Sequence, residues 1–179
     1  MKETTIKERF TPFPGLSSVR LTLRQLQLTD MDEIFRLRTE REVNRYIPRT
    51  PFLHKDEAGE FVLKINEGIS RNKWIYWGIR RHDKPKVMGT ICLWNFTADG
   101  IADVGYEMLP EFCRQGFMTE ALGCVIEYAS RKLKLTRLEA HTFANNTRSI
   151  QLLTKNGFQL IIEPEEHLEY NEVVYYRNL

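Results

Sequence analysis

From Trp74 to Leu109 the chain runs through three successive stretches dominated by aromatic and β-branched residues, then passes through a short polar loop into a long amphipathic pattern. "WIYWGIR" (Trp74 to Arg80) and "KVMGTICLWNF" (Lys86 to Phe96) read as a hairpin across "RHDKP", and "IADVGYEML" (Ile101 to Leu109) as a third strand. Beyond the loop, Met118, Leu122, Val125, Ile126, Ala129 and Leu133 recur at helical spacing, predicting a helix over Thr119 to Leu133. Such a succession demands a sheet with helices laid against it, an α/β chain of the α+β type.

The flanks extend this order. "VRLTLRQL" (Val19 to Leu26) alternates like a strand. "TDMDEIFRLRT" follows as a helix with Thr29 as N-cap and Met31, Ile34, Phe35 and Leu37 or Arg38 inward. Lys55 to Ser70 reads as a second helix with Phe61, Leu63 or Val62, Ile65 and Ile69 inward. Strand "RLEAHTF", helix "TRSIQLLTKNG", with Gly157 as its C-cap, and strands "FQLIIEP" and "NEVVYYRNL" complete the chain. The predicted order is β-α-α-β-β-β-α-β-α-β-β.

Composition removes several function classes. The 179 residues, 42% hydrophobic and 28% charged, fit one compact domain over 1–179, with Met1 to Ser18 expected to be loosely ordered. No apolar run is long enough for a bilayer and no signal-like segment opens the chain, so a cytoplasmic protein without membrane contact is expected. Cys92, Cys113 and Cys124 make neither a disulfide framework nor a zinc cage, and His54, His82, His141 and His167 lack ligand spacing; no metal is expected. A net charge of +2 without a basic cluster argues against direct nucleic-acid binding. Trp74, Tyr76, Trp77 and Trp94 therefore read as core or acceptor-pocket walls rather than a base-stacking stripe.

The loop "PEFCRQGFMTEA" (Pro110 to Ala121) allows two readings. It is either a solvated strand-to-helix turn, or a phosphate site in which Gly116 lets an anion approach the open N–H groups of a helix start, with Arg114 adding charge.

"LPEFCRQGFMTEA" resembles the acyl-CoA pyrophosphate loop of the GNAT N-acetyltransferases, Q/R-x-x-G-x-G/A. "NNTRSIQLLTKNGF" is similar to that superfamily's Asn-x-x-Ser/Ala helix, and "RLTLR" (Arg20 to Arg24) and "VGYEMLP" resemble its RimJ/RimL-like branch, which acetylates N-terminal amines of ribosomal proteins. The resemblance spans about Arg20 to Tyr176. It implies a mixed, twisted sheet of six to seven strands with about four helices, a splayed strand pair holding acyl-CoA, and acetyl-CoA as cosubstrate. The implied acceptor is a primary amine, foremost a protein N-terminus, with a small-molecule amine or a non-catalytic acyl-CoA-binding module as alternatives. Monomer and homodimer both remain open.

Carried across by residue, the usual Gln/Arg of the loop is Cys113, its first glycine Arg114, its key glycine Gly116 and its last small residue Met118. Cofactor contacts are thereby implied for Arg114, Gln115, Gly116, Phe117, Met118 and Thr119, for Asn146 and Ser149, and for backbone N–H groups near Met108 and Leu109, where a bulge is expected. Asn146 is also a natural helix N-cap. The family's tyrosine acid falls on Leu153, so Ser149 is the implied thiolate partner. On the strand, Asp103, Gly105 and Glu107 share one face. Glu107 is preferred as catalytic base over Asp103, with Glu139, His141 or a water in reserve. The acidic "EPEEHLE" near Glu163, with Glu40 and Glu42, is a candidate attractor for a cationic amine.

Overall fold

The computed structural model describes residues 10–161 and 171–179. Eight strands form one sheet in the order β1-β2-β3-β4-β5-β6-β8-β7. They are β1 (Leu16–Ser17), β2 (Leu21–Gln25), β3 (Ile75–Arg81), β4 (Val87–Trp94), β5 (Ile101–Met108), β6 (Arg137–Phe143), β7 (Gln159–Leu160) and β8 (Glu172–Asn178). The helices are α1 (Met31–Thr39), α2 (Arg41–Asn44), α3 (Asp56–Ser70), α4 (Phe117–Arg131) and α5 (Thr147–Lys155). The predicted order holds seven strands and the eighth is β1, a two-residue edge ladder too short to give a periodic signal; β7 is the described part of the expected "FQLIIEP" strand, whose residues from 162 on lie outside the described part. The α2 turn is likewise too short to read.

Trp77 and Tyr76 show how the layers form. Neighbouring residues of a strand point to opposite faces. The Trp77 ring meets Tyr128 of α4 edge-on at 5.6 Å, and Tyr76 meets Phe61 of α3 at 5.7 Å. Helices α1 and α3 therefore cover one face of the sheet, and α4 and α5 the other. Trp77 is fully buried, and truncating it to alanine should cost about 3–5 kcal/mol. Trp77 is thus a core wall, as its place on an aromatic and β-branched strand implies, whereas Trp94, 37% exposed, is no core residue.

Several expectations shift. Phe10 to Ser18 is ordered: Phe10 is buried, and Trp77 Nε1 donates to the Pro14 carbonyl at 2.8 Å. Residues 1–9 lie outside the described part. Thr29 does not cap α1; it lies within a 3-10 turn, Leu28–Asp30, whose capping box joins Gln27 and Asp30. In α3, Val62 rather than Leu63 faces inward.

One junction departs from antiparallel pairing. Helix α4 carries the chain across the sheet, so β6 returns parallel to β5. The two pair only from Ile101↔Arg137 to Asp103↔Glu139. Beyond Asp103, β5 continues to Met108 and β6 to Phe143 without pairing, and the sheet splits between them. The bulge expected near Met108 is absent there: β4 and β5 stay in register from Gly89↔Met108 to Trp94↔Asp103, and the register shift lies between Ile79 and Arg80 of β3.

Candidate active site

The loop that leaves β5 turns back through two left-handed residues, Arg114 (φ 60°) and Gly116 (φ 79°). Gly116 is the N-cap of α4, which starts two residues before the predicted Thr119. The N–H groups of Gly116, Phe117, Met118 and Thr119 have no acceptor among the described residues, and Glu120 is the first to bond back, to the Gly116 carbonyl at 3.0 Å. These open donors, with the positive end of the helix, form a concavity suited to an anion. Phe117 can contribute only its backbone, since its ring is buried. Gln115 is turned away, its amide donating to the Glu111 carbonyl at 2.7 Å. The left-handed φ at Arg114 explains why the resembled family has glycine there; for arginine that conformation costs about 1 kcal/mol.

A second cation stands at this loop. Arg20 Nη1 donates to the Gln115 carbonyl at 3.1 Å, its guanidinium lies 4.5 Å from the Phe117 ring centroid, and its Nε pairs with Glu120 Oε2 at 2.7 Å. Glu120 also accepts from the Ser18 hydroxyl at 2.5 Å and the Arg20 N–H at 2.8 Å. Burial alone would raise the Glu120 carboxyl, but the bonds from Ser18 and Arg20 outweigh it and hold it below the usual carboxylate range. Neither strand alternation nor the "RLTLR" resemblance points to this position for Arg20, which depends on a contact a hundred positions away.

Polar side chains gather at the split between β5 and β6 on both faces of the sheet. On the α5 side, the Tyr106 hydroxyl lies 2.8 Å from Ser149 Oγ. Burial pushes the Tyr106 hydroxyl up to about 12, partly offset by the Ser149 bond. Leu153, where the resembled family has its tyrosine, is buried core, and the hydroxyl beside Ser149 comes from the strand instead. Asn146 caps α5, accepting from the Ser149 N–H at 3.3 Å and donating to Thr142 Oγ1 at 3.1 Å. Its capping role is the one observed.

The backbone donors expected at Met108 and Leu109 separate. Leu109 N–H is bonded to the Met88 carbonyl at 2.9 Å, and its side chain is buried, so it cannot serve the split. Ladder alternation turns the Met108 N–H toward β6, into the opening.

On the opposite face Glu107 is buried. Arg49 Nη2 meets its Oε2 at 2.5 Å; Thr90 Oγ1 and the Tyr76 hydroxyl approach its Oε1 at 3.1 and 3.5 Å. Arg49 also bonds the Leu37 carbonyl at 3.1 Å and Asn44 Oδ1 at 2.6 Å, so the loop after α2 is fastened over this carboxylate. Glu107 and Ser149 thus approach the split from opposite faces. Asp103 shares Glu107's face but not its surroundings. Between them lies Gly105, where a Cβ would come within 2.6 Å of the Trp94 ring. Asp103 accepts from Asn95 at 3.0 Å and lies 3.9 Å from His141 Nε2; Glu139 pairs with Arg137 at 3.0 Å and His141 with Glu172 at 3.4 Å. Asp103, Glu139 and His141 converge within 4.8 Å, the one grouping among the described residues that could hold a metal. Glu42 faces Arg148 at 3.9 Å, and the "EPEEHLE" segment lies outside the described residues.

A sheet split between two parallel strands, with open helix-terminal N–H groups at the following loop and a hydroxyl pair inside, sets an anion site beside a cleft that an extended ligand could enter. The sequence matches the acetyltransferase (GNAT) domain over residues 20–159. It is 34% identical over 148 residues to the uncharacterized N-acetyltransferase YoaA of Bacillus subtilis (strain 168), covering 82% of this chain and 84% of that protein. The fold is similar to that of RimL, a ribosomal L7/L12 alpha-N-protein acetyltransferase in complex with coenzyme A (TM-score 0.81, 17% identity, 93% of this chain and 98% of that one). It is also similar to a spermidine N-acetyltransferase from Vibrio cholerae in complex with CoA and spermine (TM-score 0.76, 22% identity, 90% and 96%). The chain belongs to the GNAT acetyltransferase family, and acetyl-CoA is its acyl donor. No helix among the described residues is long and apolar enough to cross a membrane.

Proposed function

We propose that this acetyltransferase acts on an α-amine, foremost the N-terminus of a protein, by direct attack on the thioester. The carrying observation is the state of Glu107, whose Oε2 meets Arg49 at 2.5 Å while its Oε1 accepts from Thr90. A carboxylate with both oxygens already engaged by protein donors is placed to orient a water that carries the proton away, rather than to strip an ammonium directly. A lysine amine at about 10.4 is almost wholly protonated at neutral pH, whereas an α-amine at about 7.7–8.0 is neutral in roughly a tenth of molecules.

Acetyl-CoA supplies an activated acetyl thioester. The N–H groups of Gly116 to Thr119, with Arg114 and Arg20, would hold its pyrophosphate, and the Met108 N–H would polarise the carbonyl. The neutral amine forms the new C–N bond as the C–S bond breaks. Its surplus proton leaves toward Glu107 through water, and the paired Ser149 and Tyr106 hydroxyls deliver a proton to the departing sulfur. Burial raises all three cysteine thiols above their ordinary range, which favours direct transfer over an acyl-cysteine route. The test is mass-spectrometric acetylation of three probes: a peptide with a free N-terminus, the same peptide N-blocked but carrying lysine, and spermidine. Preference for the first is expected; preference for lysine or spermidine would overturn the α-amine assignment.

A further inference from the structure

Arg38 projects from α1 beside Ile34 and Leu37, both buried. Its guanidinium lies 4.0 Å from the Phe61 ring centroid and 5.6 Å from that of Phe52. Its Nε is buried without a hydrogen-bond partner, and no described carboxylate pairs with the group. Stacking on rings engages the face of a guanidinium but leaves its in-plane N–H donors open.

No hydrogen bond or ion pair holds the Arg38 guanidinium among the described residues. The Glu107 carboxylate is taken by Arg49 at 2.5 Å. Phe61 meets Tyr76 at 5.7 Å, and the Tyr76 hydroxyl reaches Glu107, so Arg38 belongs to the same pocket wall. Its charge is felt there: burial and Glu107 raise the Tyr76 hydroxyl and the Cys92 thiol, and Arg38 pulls both back. Of the described cations, Arg49 alone is thus paired with Glu107, and the Arg38 charge stands without a described counter-charge beside the face that the amine must approach. A partly desolvated cation with free in-plane donors is completed by a planar anion, and a carboxylate matches its fork.

We propose that Arg38 is a specificity residue that binds a carboxylate carried by the acceptor, an inference that rests on the acetyltransferase reading above. That carboxylate has two chemical sources: an acidic side chain at the second position of an N-terminal peptide, or the α-carboxylate of a free amino acid.

The test is calorimetric titration of the CoA-loaded protein with matched pairs: alanine against alaninamide, and C-terminally amidated peptides beginning Ala-Asp against Ala-Asn. In at least one pair the carboxylate member should bind at least about tenfold tighter. That preference should vanish in Arg38→Met and persist in part in Arg38→Lys, which also serves should the methionine variant fail to fold. Which pair discriminates identifies the source. Absence of preference in both pairs, or a full preference surviving in Arg38→Met, overturns the proposal. Acetyl transfer to the four probes is scored separately. Arg38-dependent binding without any product would leave the carboxylate site standing and sink the α-amine assignment, whereas product formed without charge preference would do the reverse.

Discussion

The hydroxyls of Tyr106 and Ser149 lie 2.8 Å apart, one on a strand and the other on a helix, forty-three residues distant in the chain. The strand hydroxyl therefore completes the helix serine, and both face the place where the sheet opens. With the Tyr106 hydroxyl pushed up to about 12, the pair keeps its protons throughout the neutral range.

Removing either hydroxyl should slow turnover without weakening cofactor binding. Tyr106→Phe and Ser149→Ala are each expected to lower kcat by about a hundredfold, with the double variant little worse than either alone. Steady-state kinetics at saturating acetyl-CoA checks this. Fully additive losses would show that the two hydroxyls do not act as one unit.

Gly116→Asp should abolish acetyl-CoA binding while α4 still forms. Aspartate tolerates the left-handed φ of 79° better than most residues and suits a helix N-cap, yet it sets a carboxylate against the pyrophosphate. A Cβ there would lie 3.4 Å from Arg20 Nη2, close but ordinary contact. Calorimetric titration is the measurement, and normal binding would mean that the phosphate is held elsewhere.

Arg49→Met should destabilise the protein by about 3 kcal/mol, because it strands the Glu107 carboxylate in a buried site. Arg49→Met combined with Glu107→Leu should recover most of that loss while remaining impaired in catalysis. Urea unfolding of the single and double variants decides between this pairing and two independent contributions.

Glu120 should contribute to acid stability. Its carboxyl sits below the usual range in the folded protein, since the bonds from Ser18 and Arg20 outweigh burial. The contribution is therefore full above the unfolded value of about 4.3 and is lost as pH falls through the lower folded value. Glu120→Gln should flatten the decline of stability below about pH 4.3, as read by thermal melting across that range.

Much of the fold was legible in the sequence. The three strand runs before Pro110 announce themselves by aromatic and β-branched content, and the helix from Met118 to Leu133 by a local repeat that burial enforces. The loop around Gly116 was legible too, because a helix start opens its N–H groups whatever surrounds it. The short edge ladder β1 was not, since two residues carry no period.

Partnership was decided only in three dimensions. Strand alternation put Glu107 and Tyr106 on opposite faces, but it could not say that Arg49 would close on the one and Ser149 on the other. Arg20 meets Glu120 across a hundred positions, and Arg38 reaches the wall of the Glu107 pocket through Phe61 and Tyr76. Periodicity records whether a side chain faces solvent or core, because that depends on the residue's own element. Which charge or hydroxyl it meets depends on how distant elements pack, and the split that brings them together exists because β5 and β6 stop pairing after Asp103 and Glu139.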